Sequence, residues 1–277
     1  MEIYSIQSGF FKLDGGAMFG VVPKKMWEKM NPPDEMNLCT WSMRCLLIKD
    51  GSKNILIDCG IGDKQDEKFR SHFHPHGAFN LIDSLSEHSI QPEDITDVFL
   101  THLHFDHCGG ALKRDGDKIV PTFPNATYWS NQKHWDWAIK PNFREKASFL
   151  SENILPLQEL GILKMIDVEQ DIAWGNNFHI RFLFGHTEAM MCPIIKSQNQ
   201  TFIYCADLIP SILHIGMPYV MSYDVRPLET MKEKEWLLNY AFENNAKLIL
   251  EHDPEFEYCT IIKNEKNQYI AGEKGKL

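Results

Sequence analysis

The sequence predicts an α+β fold in which two sheets pack face to face, with helices outside them. Strand-like segments come in two series, separated by a mostly helical stretch, and strands do not alternate regularly with helices. A regular alternation would have indicated a doubly wound parallel sheet. Because 277 residues is the size of one large domain, we expect residues 1–277 to form a single domain.

The first series of strands starts near the N-terminus. Ile3–Leu13 is predicted as a strand, and the glycine-punctuated stretch Gly15–Pro23 as an apolar loop. Ser42–Ile48 and Asn54–Asp58 flank an Asp-Gly turn, which predicts a hairpin. The short apolar run Thr96–Thr101 is predicted as a buried strand.

Helices and the second series of strands follow. Helical periodicity predicts helices over Asn131–Ile139, most of Arg144–Leu160 and Glu229–Asn244. The later strands are predicted at Leu163–Ile166, Asp171–Trp174, His179–Leu183, Met191–Lys196, Thr201–Cys205, Lys247–Leu250 and Glu257–Lys263.

Composition and charge restrict the partners of this protein. The formal net charge is −10, which repels phosphate backbones and anionic membranes, so we expect a small-molecule substrate and neither nucleic acid nor membrane as a partner. The seven cysteines are scattered without a CxxC pair and are interpreted as reduced thiols of a cytoplasmic protein. The N-terminus does not have the pattern of a secretory signal. The oligomeric state is left open, a homodimer included.

The segment 102–110, HLHFDHCGG, predicts a metal site. His102 and His104 are two apart at the end of a predicted strand and therefore point to the same side, while Asp106 and His107 come from the following turn. The two glycines that close the segment allow a tight backbone turn, so that two pairs of ligands reach two neighbouring metal positions.

Further ligands are expected elsewhere, because four side chains cannot complete two coordination spheres. His186, Asp207 and His252 each follow the end of a predicted strand. Side chains in such positions gather at one rim of a pair of sheets. We therefore expect these residues to complete the metal site.

This order of residues resembles the metallo-β-lactamase superfamily over nearly the whole chain. In that family an HxHxDH segment is followed by a His, an Asp and a last His, each from a separate loop. The resemblance implies a four-layer αββα sandwich with a dinuclear site at one edge of the sheets. It also implies the ligand sets: His102, His104 and His186 for one metal, Asp106, His107 and His252 for the other, with Asp207 bridging them.

Asp58 resembles the family's carboxylate that orients a ligand histidine, a role that suits the second ring nitrogen of such a ligand. A turn aspartate that caps the hairpin is the alternative. The donors are nitrogen and oxygen only, which suits two divalent ions, zinc first and manganese, iron or cobalt as alternatives. We interpret Cys108 and Cys205 as small buried side chains and not as ligands.

Two such ions would generate a bridging hydroxide near neutral pH and polarise the bond to be broken. Asp106 or Asp207 could take the proton and pass it to the leaving group. The sequence therefore predicts a metallohydrolase that cleaves a lactone or ester bond. The alternatives are a phosphotriester or thioester hydrolase on the same site, and a mononuclear iron oxidoreductase similar to the persulfide dioxygenases.

Within the superfamily the likeness is to the quorum-quenching N-acyl homoserine lactonases. Those enzymes carry a tyrosine three residues past the bridging aspartate, where this chain has Pro210. The candidates to replace that tyrosine are His214, Tyr219 and Tyr223, and Phe19 is a candidate wall of an acyl-chain pocket.

Overall fold

The structure, a computed structural model, describes residues 1–168, 171–175 and 177–277. The chain divides into two compact units. The first unit comprises Met1–Phe10 and Met43–Val168, and the second comprises Phe11–Ser42 and Glu169–Leu277. The prediction of a single domain over residues 1–277 stays a prediction.

The described residues form the following α-helices and β-strands. The α-helices are α1 (Gly15–Phe19), α2 (Lys24–Trp27), α3 (Glu67–Phe73), α4 (Leu81–Glu87), α5 (Phe105–Cys108), α6 (Gln132–Ala138), α7 (Ser151–Glu159) and α8 (Pro227–Glu243). The strands are β1 (Glu2–Asp14), β2 (Leu38–Asp50), β3 (Lys53–Ile57), β4 (Asp97–Phe99), β5 (Leu112–Asp115), β6 (Lys118–Pro121), β7 (Thr127–Asn131), β8 (Leu163–Ile166), β9 (Asp171–Ala173), β10 (Phe178–Leu183), β11 (Met190–Ser197), β12 (Gln200–Tyr204), β13 (Lys247–Ile249), β14 (Tyr258–Lys263) and β15 (Tyr269–Gly275).

The strands form two large sheets and a small hairpin. One sheet has six strands in the order β1-β2-β3-β4-β7-β8, the other has seven in the order β15-β14-β13-β12-β11-β10-β9, and β5 pairs with β6. The mixture of sheets and helices confirms the predicted fold class.

Each sheet contains a parallel pair that brings predicted ligands to one edge. In the first unit β3 runs parallel to β4, with Ile57 opposite Phe99, so Asp58 and the segment that follows β4 emerge together. In the second unit β12 runs parallel to β13, with Tyr204 opposite Ile249. The carboxyl ends of parallel neighbours lie at the same edge, which is where sites form in such sheets.

Several elements match the prediction and others do not. The hairpin of β2 and β3, the first strand, α6 and α8 lie where the sequence places them. The predicted loop Gly15–Pro23 instead starts with α1, because the Asp14 side chain caps it by accepting from the Ala17 N–H at 2.8 Å. The helix predicted over Arg144–Leu160 is confined to α7, and α3, β5 and β15 were not predicted.

The hydrophobic core of the first unit includes residues of the segment 102–110, the metal motif. Leu100, Leu103 and Cys108 are fully buried members of its hydrophobic cluster, so packing against this core restrains the backbone of the segment 102–110. All seven cysteines are buried, in line with the prediction for Cys108 and Cys205. None of the helices in the described part of the chain combines the length and the apolarity that crossing a bilayer requires.

Candidate metal centre

The HxHxDH segment of the first unit brings ring nitrogens together as the spacing predicts. β4 ends at Phe99, and His102 and His104 follow in extended backbone before α5. His102 Nε2 lies 3.0 Å from His104 Nδ1, and the two residues are only 0% and 5% exposed. Two imidazole nitrogens at this distance are well placed to share one ligand.

Asp106 and His107 form the second pair of the segment. Both lie in the single turn of α5, and Asp106 Oδ2 lies 3.7 Å from His107 Nε2. Asp106 is 7% exposed, so its carboxylate keeps slight access to solvent. The turn therefore offers one oxygen and one nitrogen beside each other.

Asp58 connects the end of β3 to this segment. Its Oδ1 accepts the Thr101 N–H at 2.8 Å, and its Oδ2 accepts the Thr101 hydroxyl at 2.7 Å. The same Oδ2 lies 3.1 Å from His107 Nδ1. Asp58 has a φ of 57°, a left-handed conformation that costs a non-glycine residue free energy and persists only when its surroundings impose it. Asp58 therefore contacts His107, a predicted ligand; the role of Asp58 in metal binding stays a prediction.

The two glycines of the motif are required by close backbone contacts. A Cβ on Gly109 would overlap the carbonyl oxygen of Ile61, and a Cβ on Gly110 would overlap that of Cys59. The Gly110 N–H donates to Gly60 O at 2.9 Å, which holds the two loops together. The loop after Asp58 therefore supports the back of the motif.

Glu145 is a residue of this site that the sequence analysis missed. It is 2% exposed, and its Oε2 accepts from Trp137 Nε1 at 2.7 Å and Asn142 Nδ2 at 2.6 Å. Its Oε1 lies 3.6 Å from His104 Nε2, the ring nitrogen that faces away from His102. A buried carboxylate in this position holds the imidazole in place and increases its basicity.

In the second unit Asp207 lies between two histidines. Asp207 Oδ2 is 3.0 Å from His186 Nε2, and Asp207 Oδ1 is 2.9 Å from His252 Nε2. The preceding residue, Ala206, has a φ of 43°, a strained conformation that turns the chain directly after β12. One carboxylate therefore offers a separate oxygen to each of two buried imidazoles.

The remaining ring nitrogens of these two histidines bond to the protein. His186 Nδ1 lies 2.8 Å from Asp224 Oδ1, and His252 Nδ1 lies 2.7 Å from the carbonyl oxygen of Ser42. Burial disfavours a charged His186, but the carboxylates of Asp207 and Asp224 outweigh it and raise its pKa to about 10. Asp224 was missed by the sequence analysis, because nothing in its local sequence separates it from other loop aspartates.

The first turns of α8 hold the loop that carries His186. Glu233 accepts the N–H groups of Phe184 and Gly185 at 2.6 and 3.0 Å, and Arg226 Nη1 donates to Phe184 O at 2.6 Å. A Cβ on Gly185 would collide with the backbone nitrogen of Thr230, so only glycine permits this approach.

Hydrogen bonds fix which nitrogen of four histidines carries the proton. Each Nδ1–H meets an acceptor, so Nε2 is the nitrogen that remains to bind a ligand. The acceptors are the Thr101 hydroxyl oxygen for His102, Asp58 for His107, Asp224 for His186 and the Ser42 carbonyl for His252.

This donor set fits a divalent cation. In the second unit the Nε2 atoms of His186 and His252 face carboxylate oxygens at 3.0 and 2.9 Å, an arrangement that is favourable only when a positive charge lies among these atoms. A proton or a metal cation would supply that charge. Nitrogen and oxygen donors suit zinc and also manganese, iron or cobalt.

The predicted substrate-pocket residues fall into two groups. Phe19 and His214 are 0% and 1% exposed and stack with ring centroids 5.1 Å apart. His214 Nε2 donates to Met18 O at 2.9 Å, its Nδ1 accepts from Ser211 Oγ at 2.8 Å, and burial lowers its pKa to about 3. As a correction to the expectation, these two side chains belong to a buried aromatic core and present no surface to a substrate.

Tyr219 and Tyr223 are partly exposed, so both keep surface that a ligand could reach. Tyr219 packs edge-on against the buried Phe19 ring, with centroids 6.2 Å apart. At the position of the lactonase tyrosine, Pro210 contributes its carbonyl oxygen, which accepts the His252 N–H at 2.9 Å. The residue at this position therefore fixes the backbone of a predicted ligand.

Comparison with known proteins identifies the family of this chain. The sequence profile of the Metallo-beta-lactamase superfamily matches residues 44–252, three quarters of the chain, and the protein therefore belongs to that superfamily.

A "probable metal-dependent hydrolase" from Staphylococcus aureus has a similar structure, with a TM-score of 0.87 and 29% identity over 98% of this chain and 97% of that one. AidC, a dizinc quorum-quenching lactonase, aligns with a TM-score of 0.79 and 22% identity over 99% of this chain and 95% of its own. The N-acyl homoserine lactonase AttM of Rhizobium radiobacter is 20% identical over 179 residues, 63% of this chain, and the chain spans 64% of the length of that relative.

Proposed function

We propose that this protein is a metal-dependent hydrolase that cleaves a lactone or ester bond of a small molecule. The observation that carries the proposal is Asp207, whose two carboxylate oxygens each face the Nε2 of a buried histidine, His186 and His252. A carboxylate with one oxygen for each of two imidazoles suits the bridging ligand of a dinuclear centre. Together with the His102–His107 segment it offers enough donors for two divalent ions, zinc first.

Divalent ions held by these ligands would acidify a water molecule and polarise the carbonyl group to be attacked. The protein's own contribution is to place proton acceptors beside that water. Asp106 and Asp207 are 7% and 6% exposed, so each can take a proton from the attacking water and return it to the leaving alkoxide. The neutral imidazoles remain ligands throughout, because their other nitrogens are engaged by protein acceptors.

An apolar acyl group is the substrate feature that the first unit favours. Phe105, which lies between His104 and Asp106 in the sequence, packs against Phe69 and Phe73 of α3 at centroid distances of 5.1 and 4.5 Å. Phe69 and Phe73 keep partly exposed rings. An acyl chain beside the ligand segment would bury this aromatic surface, at about 25 cal/mol for each Å² removed from water. We extend the proposal to Tyr219 and Tyr223 as polar contacts for the bond that is cleaved, and to a cytoplasmic location.

Removal of metal tests the proposal directly. We expect the purified protein to contain two divalent ions per chain by elemental analysis, to lose turnover of a lactone or aryl ester after chelation, and to regain it with zinc. The panel should contain lactones, aryl esters, thioesters and phosphotriesters. One iron per chain with oxygen consumption would instead favour the persulfide-dioxygenase alternative, and full turnover by metal-free protein would refute the mechanism.

Glu145→Gln is expected to weaken metal binding by about 10- to 100-fold, the usual cost of losing a carboxylate behind a ligand histidine. Glutamine keeps the size of the side chain and an oxygen for the Trp137 indole, but it loses the charge that faces His104. The measurement is zinc affinity by competition with a chelating dye. Glu152→Gln is the matched control, because Glu152 pairs with Arg114 at 3.1 Å on the surface of the same unit. Equal zinc affinities of the two variants would remove Glu145 from the metal site.

A further inference from the structure

A cavity of about 430 Å³ opens in the first unit. This volume lies within the range of roughly 300–1,000 Å³ that is typical of small-molecule sites. Its wall includes the middle of β1, the loop 59–63, residues 75–82 and the start of β5. Within the described chain, the residues that line it include none of the predicted metal ligands.

Arg70 gives this cavity a side chain that can bind an anion. Its Nη1 donates to Gly62 O at 2.9 Å, and in the described part of the chain no carboxylate lies within ion-pair distance of the guanidinium. The hydrogen bond at Nη1 uses one side of the guanidinium. The other edge, formed by Nε and Nη2, remains for a ligand. That edge matches the two oxygens of a carboxylate.

The other charges of the wall favour an anion. Lys113 is a second cation, and Asp63 is the carboxylate among the lining residues that the structure describes. An anion that enters therefore meets two positive charges and one negative charge. Because the net charge of the whole chain is −10, the positive charge here is local.

Much of the remaining wall is apolar, alongside the polar side chains of Ser8, Asn80 and Thr122. Phe10, Ile82 and Leu112 line the cavity, and Phe79 lines it with a ring that is 48% exposed. A large hydrophobic side chain exposed at a cavity gains free energy when a ligand covers it. The wall thus combines one guanidinium edge with an apolar surface.

We propose that this cavity binds a small amphipathic carboxylate, with its head group on the Nε–Nη2 edge of Arg70 and its apolar chain against Phe10, Phe79 and Ile82. The site goes beyond the proposed hydrolysis, because none of the residues on which it depends is a predicted metal ligand. Its ligand also contacts Cys59 and Gly62, in the loop that supports the back of the metal motif.

Octanoate is the probe that tests this site, with 1-octanol as the uncharged control of the same chain length. In the metal-loaded protein with labelled methyl groups, octanoate is expected to shift the NMR signals of Met43, Ile82 and Leu112 in a saturable manner. Shifts confined to residues outside the cavity, for example around the metal ligands, would overturn the proposal.

Variants of Arg70 test the head group. Arg70→Gln is expected to weaken octanoate binding about tenfold, as the loss of a charge-assisted hydrogen bond predicts, and to leave octanol binding unchanged. Arg70→Lys keeps the charge without the planar edge. Its octanoate affinity should therefore fall between those of the wild type and of Arg70→Gln. Arg114→Gln is the matched control, because Arg114 bonds to Glu152 and does not line the cavity. Equal octanoate affinities of Arg70→Gln and the wild type would disprove the role of the guanidinium.

Discussion

The Asp207→Asn variant is expected to lose bound metal and to hydrolyse its substrate roughly 1,000-fold more slowly than the wild type. Asparagine has the shape of aspartate but offers one neutral oxygen in place of two charged ones. It therefore cannot place a charged oxygen beside both His186 and His252. Metal catalysis contributes several kcal/mol, and each factor of ten in rate corresponds to about 1.4 kcal/mol. The measurements are elemental analysis of the purified variant and its kcat/KM.

The control for this experiment is Asp34→Asn in the same unit. Asp34 pairs with Lys12 at 2.6 Å, and about a third of its side chain (34%) is exposed, so its loss removes one surface charge and leaves the site intact. Both variants should have wild-type circular dichroism. An Asp207→Asn protein that retains two metal ions and full turnover would show that Asp207 does not bridge them.

The Gly110→Ala variant is expected to be destabilised by about 3 kcal/mol or more, or to fail to fold. Its Cβ would overlap the carbonyl oxygen of Cys59, a backbone atom that cannot turn aside as a flexible side chain can. Overpacking in a core commonly costs roughly 1–3 kcal/mol, and here the backbone must move and break the bond between Gly110 and Gly60 as well. Urea denaturation of the metal-free protein measures this free energy.

Gly116→Ala supplies the comparison. Gly116 has a φ of 58° at the β5–β6 turn, and a Cβ there would have no atom within 4 Å. Its substitution should cost only the conformational strain of about 1 kcal/mol. If Gly110→Ala were no less stable than Gly116→Ala, the close contact between the two loops would be disproved as a constraint.

The sequence singles out the candidate donors of this site because their pattern is local or tied to strand ends. His102 and His104 show the two-residue spacing of a strand end, and Asp207 and His252 follow strands that prove to be parallel neighbours. Glu145 and Asp224 were not predictable in this way. Each lies in a loop far along the chain from the histidine that it contacts, and loop carboxylates are too common for their position to single them out.

Burial explains why two residues that were predicted to line the substrate pocket do not line it. Phe19 and His214 looked like pocket residues because they are an aromatic and an imidazole in loop-like sequence. In the structure they stack in the core of the second unit, together with Trp27 and Trp41. Which aromatic residues face a ligand depends on the packing of segments 196 residues apart, and no local pattern contains that information.

The parallel pairs β3/β4 and β12/β13 have a consequence for how this protein could change. In each pair the predicted ligands are attached to the ends of hydrogen-bonded strands, whereas the partly exposed Tyr219 and Tyr223 lie farther along in the loops. Insertions or substitutions in those loops therefore need not move the ligands. Mutation can explore new substrates while the metal-binding framework stays constant, and directed evolution for altered specificity should target the loop around residues 216–223 first.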